Sequence, residues 1–237
     1  MNINFFCRLV VMASMITLGP GCESKRERTP PPKATSIVQV DQSQYIVMLV
    51  LDLSGSFEQQ MTDGGQAWTF AGMALDRYFR NRRENRHDRF IIAQVSGTTK
   101  SLLWEGTPEH FRRDFTGESF REFLKEKADP NGSKVYDGVS HALGYFNRIP
   151  NVRSGAAKSA VLILSDLMDN GPDKEAAEKR FFESVVAFDK LGGVGGIWYC
   201  DQDEYMKWRP ALDNAGLDDF IIECDFKGHP TLPTFQQ

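Results

Sequence analysis

The chain has 237 residues, of which 41% are hydrophobic and 25% charged, a composition that supports one well-packed domain and leaves little for a second. Its formal net charge of −4 excludes the strongly basic surface with which nucleic-acid binders meet phosphate. No nucleic-acid partner is therefore expected.

The chain opens with Arg8, an apolar stretch from Leu9 to Leu18, and then Gly19-Pro20-Gly21 before Cys22. That stretch is too short to cross a bilayer, and residues 1–21 read as a signal peptide. Gly19 and Gly21 suit cleavage before Cys22 by a general signal peptidase or by one that lipidates the cysteine. Glu23 to Lys33 is charged and proline-rich. With no apolar period before residue 43, residues 22–42 read as a tether. The arrangement resembles a bacterial lipoprotein, although Leu18 stands four residues before the cysteine where that signal carries leucine at three. The resemblance implies acylation of Cys22, a cell-envelope location and membrane contact through the lipid anchor. A plain secreted form and an uncleaved anchor are the alternatives.

From Tyr45 onward, short apolar runs alternate with segments of helical period, the pattern of βα units around a parallel sheet buried on both faces. Strands are predicted at 45–51, 89–95, 101–104, 160–164, 196–200 and 220–224. Helices are predicted at 66–82, at 108–127 with a break near Gly117, and at 136–147, 174–190 and 203–214. The predicted fold class is α/β, Rossmann-like and doubly wound, with a mostly parallel sheet and helices on both faces, over residues 43–237.

In doubly wound sheets, ligands bind at the carboxyl ends of strands, near the point where strand order reverses. The residues following each strand are therefore the ones to weigh. The first strand ends in Leu51-Asp52-Leu53-Ser54-Gly55-Ser56, which puts one carboxylate and two hydroxyls on one turn. The strand at 160–164 ends in Leu164-Ser165-Asp166, and the stretch from Asn131 to Asp137 adds Ser133 just before a helix. All are oxygen donors, with no His or Cys among them, which suits a hard cation such as Mg²⁺, or Mn²⁺ in its place. Two carboxylates among neutral hydroxyls leave the ion's charge incompletely neutralised, so it can take a further anionic ligand from outside.

Over roughly residues 43 to 225 these segments resemble the von Willebrand factor type A family, whose metal-ion-dependent adhesion site has Asp-x-Ser-x-Ser after the first strand. Asp52, Ser54 and Ser56 match that run. Gly132-Ser133-Lys134-Val135-Tyr136-Asp137-Gly138 is similar to the family's Gly-Thr-x-apolar-Tyr-Asp-Ala segment, with Ser133 in the place of Thr. Asp166 falls where the family has Asp-Gly, and Leu167 stands where that glycine would adopt positive φ. The resemblance implies a von Willebrand A fold and a divalent metal held by Asp52, Ser54, Ser56, Ser133 and Asp166. It also implies a protein partner that offers a carboxylate to the ion.

The alternatives are of two kinds. Asp52 and Ser56 would also serve as helix caps and Asp166 as a turn residue, giving a metal-free scaffold. Haloacid-dehalogenase-like phosphatases also place an Asp after the first strand, but they need a second acid two residues later, where this chain has Ser54. No Gly-x-Ser-x-Gly elbow, His-Glu-x-x-His pair or Walker loop is present, so no enzyme is expected. Asp137 reads as a capping or supporting residue, and Asp201, Asp203 and Glu204 as a helix start. The basic stretch with Arg80, Arg82, Arg83, Arg86 and His87 reads as a solvated helix end, because no aromatic residues interleave with the arginines. Gly192 to Gly196 precedes a strand, so it is not a phosphate loop. Cys200 and Cys224 close two successive strands and are either bridged or two buried thiols.

Overall fold

Unbroken apolar runs build the centre of the sheet. The computed structural model describes residues 44–54, 57, 61, 65–82, 85–95, 101–128, 134–224 and 230–235, all within one compact unit spanning 41–237. Its first strand, β1 (Gln44–Leu51), is buried from Ile46 to its end. Successive strand residues point to opposite faces, and here Ile46, Met48 and Val50 enter one core while Val47, Leu49 and Leu51 enter the other. A strand apolar on both sides requires cover on both sides.

The remaining strands are β2 (Arg89–Gln94), β3 (Leu102–Gly106), β4 (Ala157–Leu164), β5 (Val194–Trp198) and β6 (Ile221–Glu223). They form a sheet of order β3-β2-β1-β4-β5-β6. Every neighbouring pair is parallel except β2 and β3. Helices α1 (Gln66–Phe79), α2 (Pro108–Asp114) and α3 (Gly117–Lys127) cover the face that carries Val47. Helices α4 (Val135–Phe146), α6 (Lys174–Asp189) and α7 (Gln202–Asn214) cover the other. A single turn, α5 (Pro150–Arg153), which the apolar pattern does not announce, leads into β4.

The predicted α/β class, the doubly wound sheet and all five long helical segments agree with this architecture. Helix 108–127 divides at Phe115-Thr116, where Thr116 and Ser119 exchange side-chain and backbone hydrogen bonds in a capping box. The strand predicted at 196–200 lies two residues earlier. Gly195 and Gly196 are inside β5, where an added Cβ would come within 2.8 Å of Val161 O and 2.7 Å of Ile221 O. Those glycines serve close packing in the sheet. Cys200 and Cys224 are both thiols, and burial pushes the Cys200 thiol well up. Among the described residues no helix is long and apolar enough to cross a membrane. The leader, the tether and Cys22 lie outside the described residues.

Candidate metal centre

β1 and β4 pair side by side, but β2 and β3 follow on the far side of β1 and β5 and β6 on the far side of β4. The loops leaving these two strands therefore part, and the sheet's crevice opens between them. Register brings their ends level: Leu51 pairs with Leu164, and the Asp52 amide continues the ladder by donating to Leu164 O at 2.9 Å. The next residues on either side, Asp52 and Ser165, consequently face one another. Ser165 Oγ donates to Asp52 Oδ2 at 2.7 Å.

Asp52 is fully buried. Its Oδ1 accepts from Ser54 N at 3.0 Å and from the Ser54 hydroxyl. A serine that gives its proton to a carboxylate keeps its oxygen lone pairs for another acceptor of electrons, which is what a hard cation requires. Burial pushes the Asp52 carboxyl up from its ordinary 3.8 to about 6; the bonds from Ser54 and Ser165 hold it down only in part, and the Asp166 charge adds to the rise. Asp166 is half-buried, with Oδ1 accepting from Met168 N at 2.9 Å. Its carboxyl is also raised, first by burial and then by the charges of Asp201 and Glu204. Asp52 thus lies within electrostatic reach of Asp166, and neither carboxylate pairs with a cation among the described residues.

The backbone beyond Asp166 carries the positive φ that the family resemblance assigns to glycine. Leu167 sits at φ 62° and is fully buried, with its amide donating to Ser165 Oγ at 2.9 Å. A left-handed conformation costs a leucine about 1–2 kcal/mol, so the site keeps the turn and its strain together. Tyr199, at the end of β5, has φ 70° as well. Thus the two non-glycine residues with positive φ among those described both follow central strands at this rim.

Of the five predicted ligands, Asp52, Ser54 and Asp166 are brought to one rim, while Ser56 and Ser133 lie outside the described residues. Among the described residues no three His, Cys, Asp or Glu side chains gather as a metal-holding group. Among the described residues Asp137 caps no helix and pairs with Arg180 of α6 at 2.7 Å. Asp201 caps α7 by accepting from Asp203 N at 2.9 Å, and its own amide donates to Asp166 O at 2.9 Å. Glu204 turns inward, where it accepts from the Tyr136 hydroxyl and from Trp208 Nε1 and meets Lys174 and Lys207. Although burial opposes ionisation of Glu204, the Tyr136 bond and the two lysines outweigh it and hold the carboxyl low.

Two residues at this site carry roles that their sequence context does not assign. Ser165 holds the Asp52 carboxylate and the Leu167 amide together; a small polar residue ending an otherwise apolar strand is the only signal for it. Asp169, buried, accepts from Tyr136 N at 2.9 Å and from Gly171 N at 2.6 Å. It thereby holds the start of α4, next to the Ser133 segment, against the loop that carries Asp166. Nothing local to α4 announces that bond, because its partner is 33 residues away.

No protein-family model matches the sequence, and no curated protein matches it. Among solved structures, the PilB minor pilin from Streptococcus sanguinis is similar with a TM-score of 0.50 at 12% identity, over 77% of this chain and 57% of the pilin. The N-terminal domain of TFIIH p34 aligns with a TM-score of 0.49 at 10% identity, over 71% of this chain and 87% of that one. At 12% identity the likeness to the pilin is one of fold alone.

Proposed function

We propose that this chain is an exported, lipid-anchored module of the von Willebrand factor type A kind. In this reading Asp52, Ser54, Ser56, Ser133 and Asp166 hold Mg²⁺, or Mn²⁺ in its place, and the ion grips a carboxylate on a protein partner. The observation that supports it most is the convergence, at the point where strand order reverses, of the buried Asp52 carboxylate, the Ser54 hydroxyl that donates to it and the half-buried Asp166. The bound cation supplies an electrophilic position for an anionic oxygen. The chain's own contribution is to fix the donors: Ser165 orients Asp52, Leu167 shapes the Asp166 turn, and Asp169 ties that turn to α4. Met168, 54% exposed beside Asp166, offers the partner an apolar contact at the rim. A binding module is favoured over a phosphatase-like hydrolase because the position two residues after Asp52 carries the Ser54 hydroxyl, where that chemistry requires a second carboxylate.

Titrating the purified full chain with Mg²⁺ tests this reading. The expected outcome is heat of binding and a melting temperature several degrees above that in chelator, since a ligand of the folded state stabilises it by mass action. Asp166→Ala should lose both effects, and a partner captured from envelope extract in Mg²⁺ should be released by chelator. Identical melts with and without millimolar metal, together with no heat, would sink the metal site; a partner retained in chelator would favour a metal-free scaffold.

A further inference from the structure

The arginines that follow α1 do not share one fate. Arg80 pairs with Asp76 on the helix surface, as a solvated helix end would. Arg82 and Arg86 instead line an open cleft of about 800 Å³ with Phe79, Thr107, His110 and Arg112. The last three come from the segment beyond β3, so this basic site is assembled by the fold and is invisible in the arginine run itself. We propose that the cleft binds a phosphate-bearing anion.

Two of the three guanidinium groups, those of Arg82 and Arg112, are held in place before any ligand arrives. Arg82 donates to both oxygens of buried Asp88, at 2.9 and 3.1 Å, and lies 3.6 Å from the centre of the Tyr45 ring. Arg112 donates to Leu75 O at 3.3 Å. Arg86 is exposed and forms no ion pair with any described residue. Among the described residues of this cleft and its immediate surroundings, three arginines stand beside two carboxylates, Asp88 and Glu109. A second cleft of about 460 Å³ adjoins it and shares Arg86, Thr107 and His110; there Arg89 and Glu105 neutralise one another at 2.9 Å. Thr107 Oγ1 already accepts from His110 N at 3.2 Å and keeps its own proton to donate. Forked, permanently charged donors beside a hydroxyl match the several oxygens of a phosphate group better than a single carboxylate.

The cleft lies at the amino ends of β1 and β2, the edge of the sheet opposite Asp52 and Asp166. The site is thus independent of the metal reading. The phosphate could belong to a lipid headgroup or to a soluble phosphate compound, and one experiment separates them. The full chain carrying Cys22→Ser, so that no acyl chain contributes, is titrated at low ionic strength with inorganic pyrophosphate and with vesicles of phosphatidylglycerol or phosphatidylcholine. Binding should fall at least tenfold in Arg86→Glu/Arg112→Glu and weaken with salt. It should be unchanged in Lys179→Glu, which alters the charge of a distant exposed site. Vesicle binding selective for phosphatidylglycerol and displaced by pyrophosphate assigns a headgroup; pyrophosphate binding without vesicle binding assigns a soluble ligand. Binding of neither probe, or equal losses in Lys179→Glu, overturns the proposal. The single variant Arg86→Glu, at an exposed position, serves if the double variant fails to fold.

Discussion

At the scale of the residue, Asp52 makes the metal-free protein sensitive to pH in a defined direction. Its folded pKa is raised to about 6, so the folded state holds the proton more tightly than the unfolded state does. The resulting stabilisation is present below the ordinary carboxylate value and is lost as pH rises through about 6. A rise of that size corresponds to about 3 kcal/mol. In chelator, Asp52→Asn removes the charge but keeps an oxygen to accept from Ser54, so its melting temperature relative to wild type should rise between pH 4.5 and pH 8. A difference that does not change with pH would show that burial of the charge costs the fold little. Leu167 poses a second question of sign. Glycine there would relieve about 1–2 kcal/mol of left-handed strain. It would also forfeit about 1.5–3 kcal/mol of side-chain burial and cost about 1 kcal/mol more backbone entropy. Leu167→Gly is therefore expected to destabilise by about 1–2 kcal/mol in denaturant unfolding, despite satisfying the turn better.

At the scale of the element, α4 shows how a helix can be legible in sequence while its placement is not. Val135, Tyr136, Val139, Ala142, Leu143 and Phe146 recur on one buried face, which is the 3.6-residue period the sequence displays. What positions that helix comes from elsewhere. Asp169 satisfies the Tyr136 amide, and Gly138 lets the helix approach β2 so closely that an added Cβ would lie 2.3 Å from Val95 O. Helix propensity alone favours Gly138→Ala by about 1 kcal/mol. The clash is with backbone, which cannot rotate aside, and overpacking of this kind costs about 1–3 kcal/mol. The expected result is net destabilisation. An alanine variant more stable than wild type in urea would show that α4 can shift away from the sheet without penalty.

For the whole molecule, the segment 230–235 returns to the edge of the sheet where β1 begins. Phe235 packs against Tyr45 and Tyr78, with ring centres 4.8 and 5.0 Å away, and the Tyr78 hydroxyl donates to Pro233 O at 2.8 Å. Deleting residues 230–237 removes half-buried Leu232 and Phe235 and exposes two tyrosine faces. The expected loss is about 2 kcal/mol, scaled from partial burial of two large side chains. Thermal melts of the truncated chain check it: an unchanged melting temperature would mean that the returning segment lies on the surface without supporting it.

The sequence by itself determined the α/β class, the five long helical segments and the strands that alternate with them, because burial on both faces leaves unbroken apolar runs and helices leave a 3.6-residue period. It also singled out Asp52, Ser54 and Asp166, since oxygen-bearing residues that end apolar strands stand out against their neighbours. Only the tertiary structure decided that Ser165 and Asp52 face each other, that Asp169 holds the start of α4, that a leucine adopts the turn of a glycine, and that Arg112 joins Arg82 and Arg86 in one cleft. The physical reason is common to all four. Strand register and helix packing bring together residues far apart in the chain, and those long-range contacts fix hydrogen bonds and strain that local pattern and propensity do not encode.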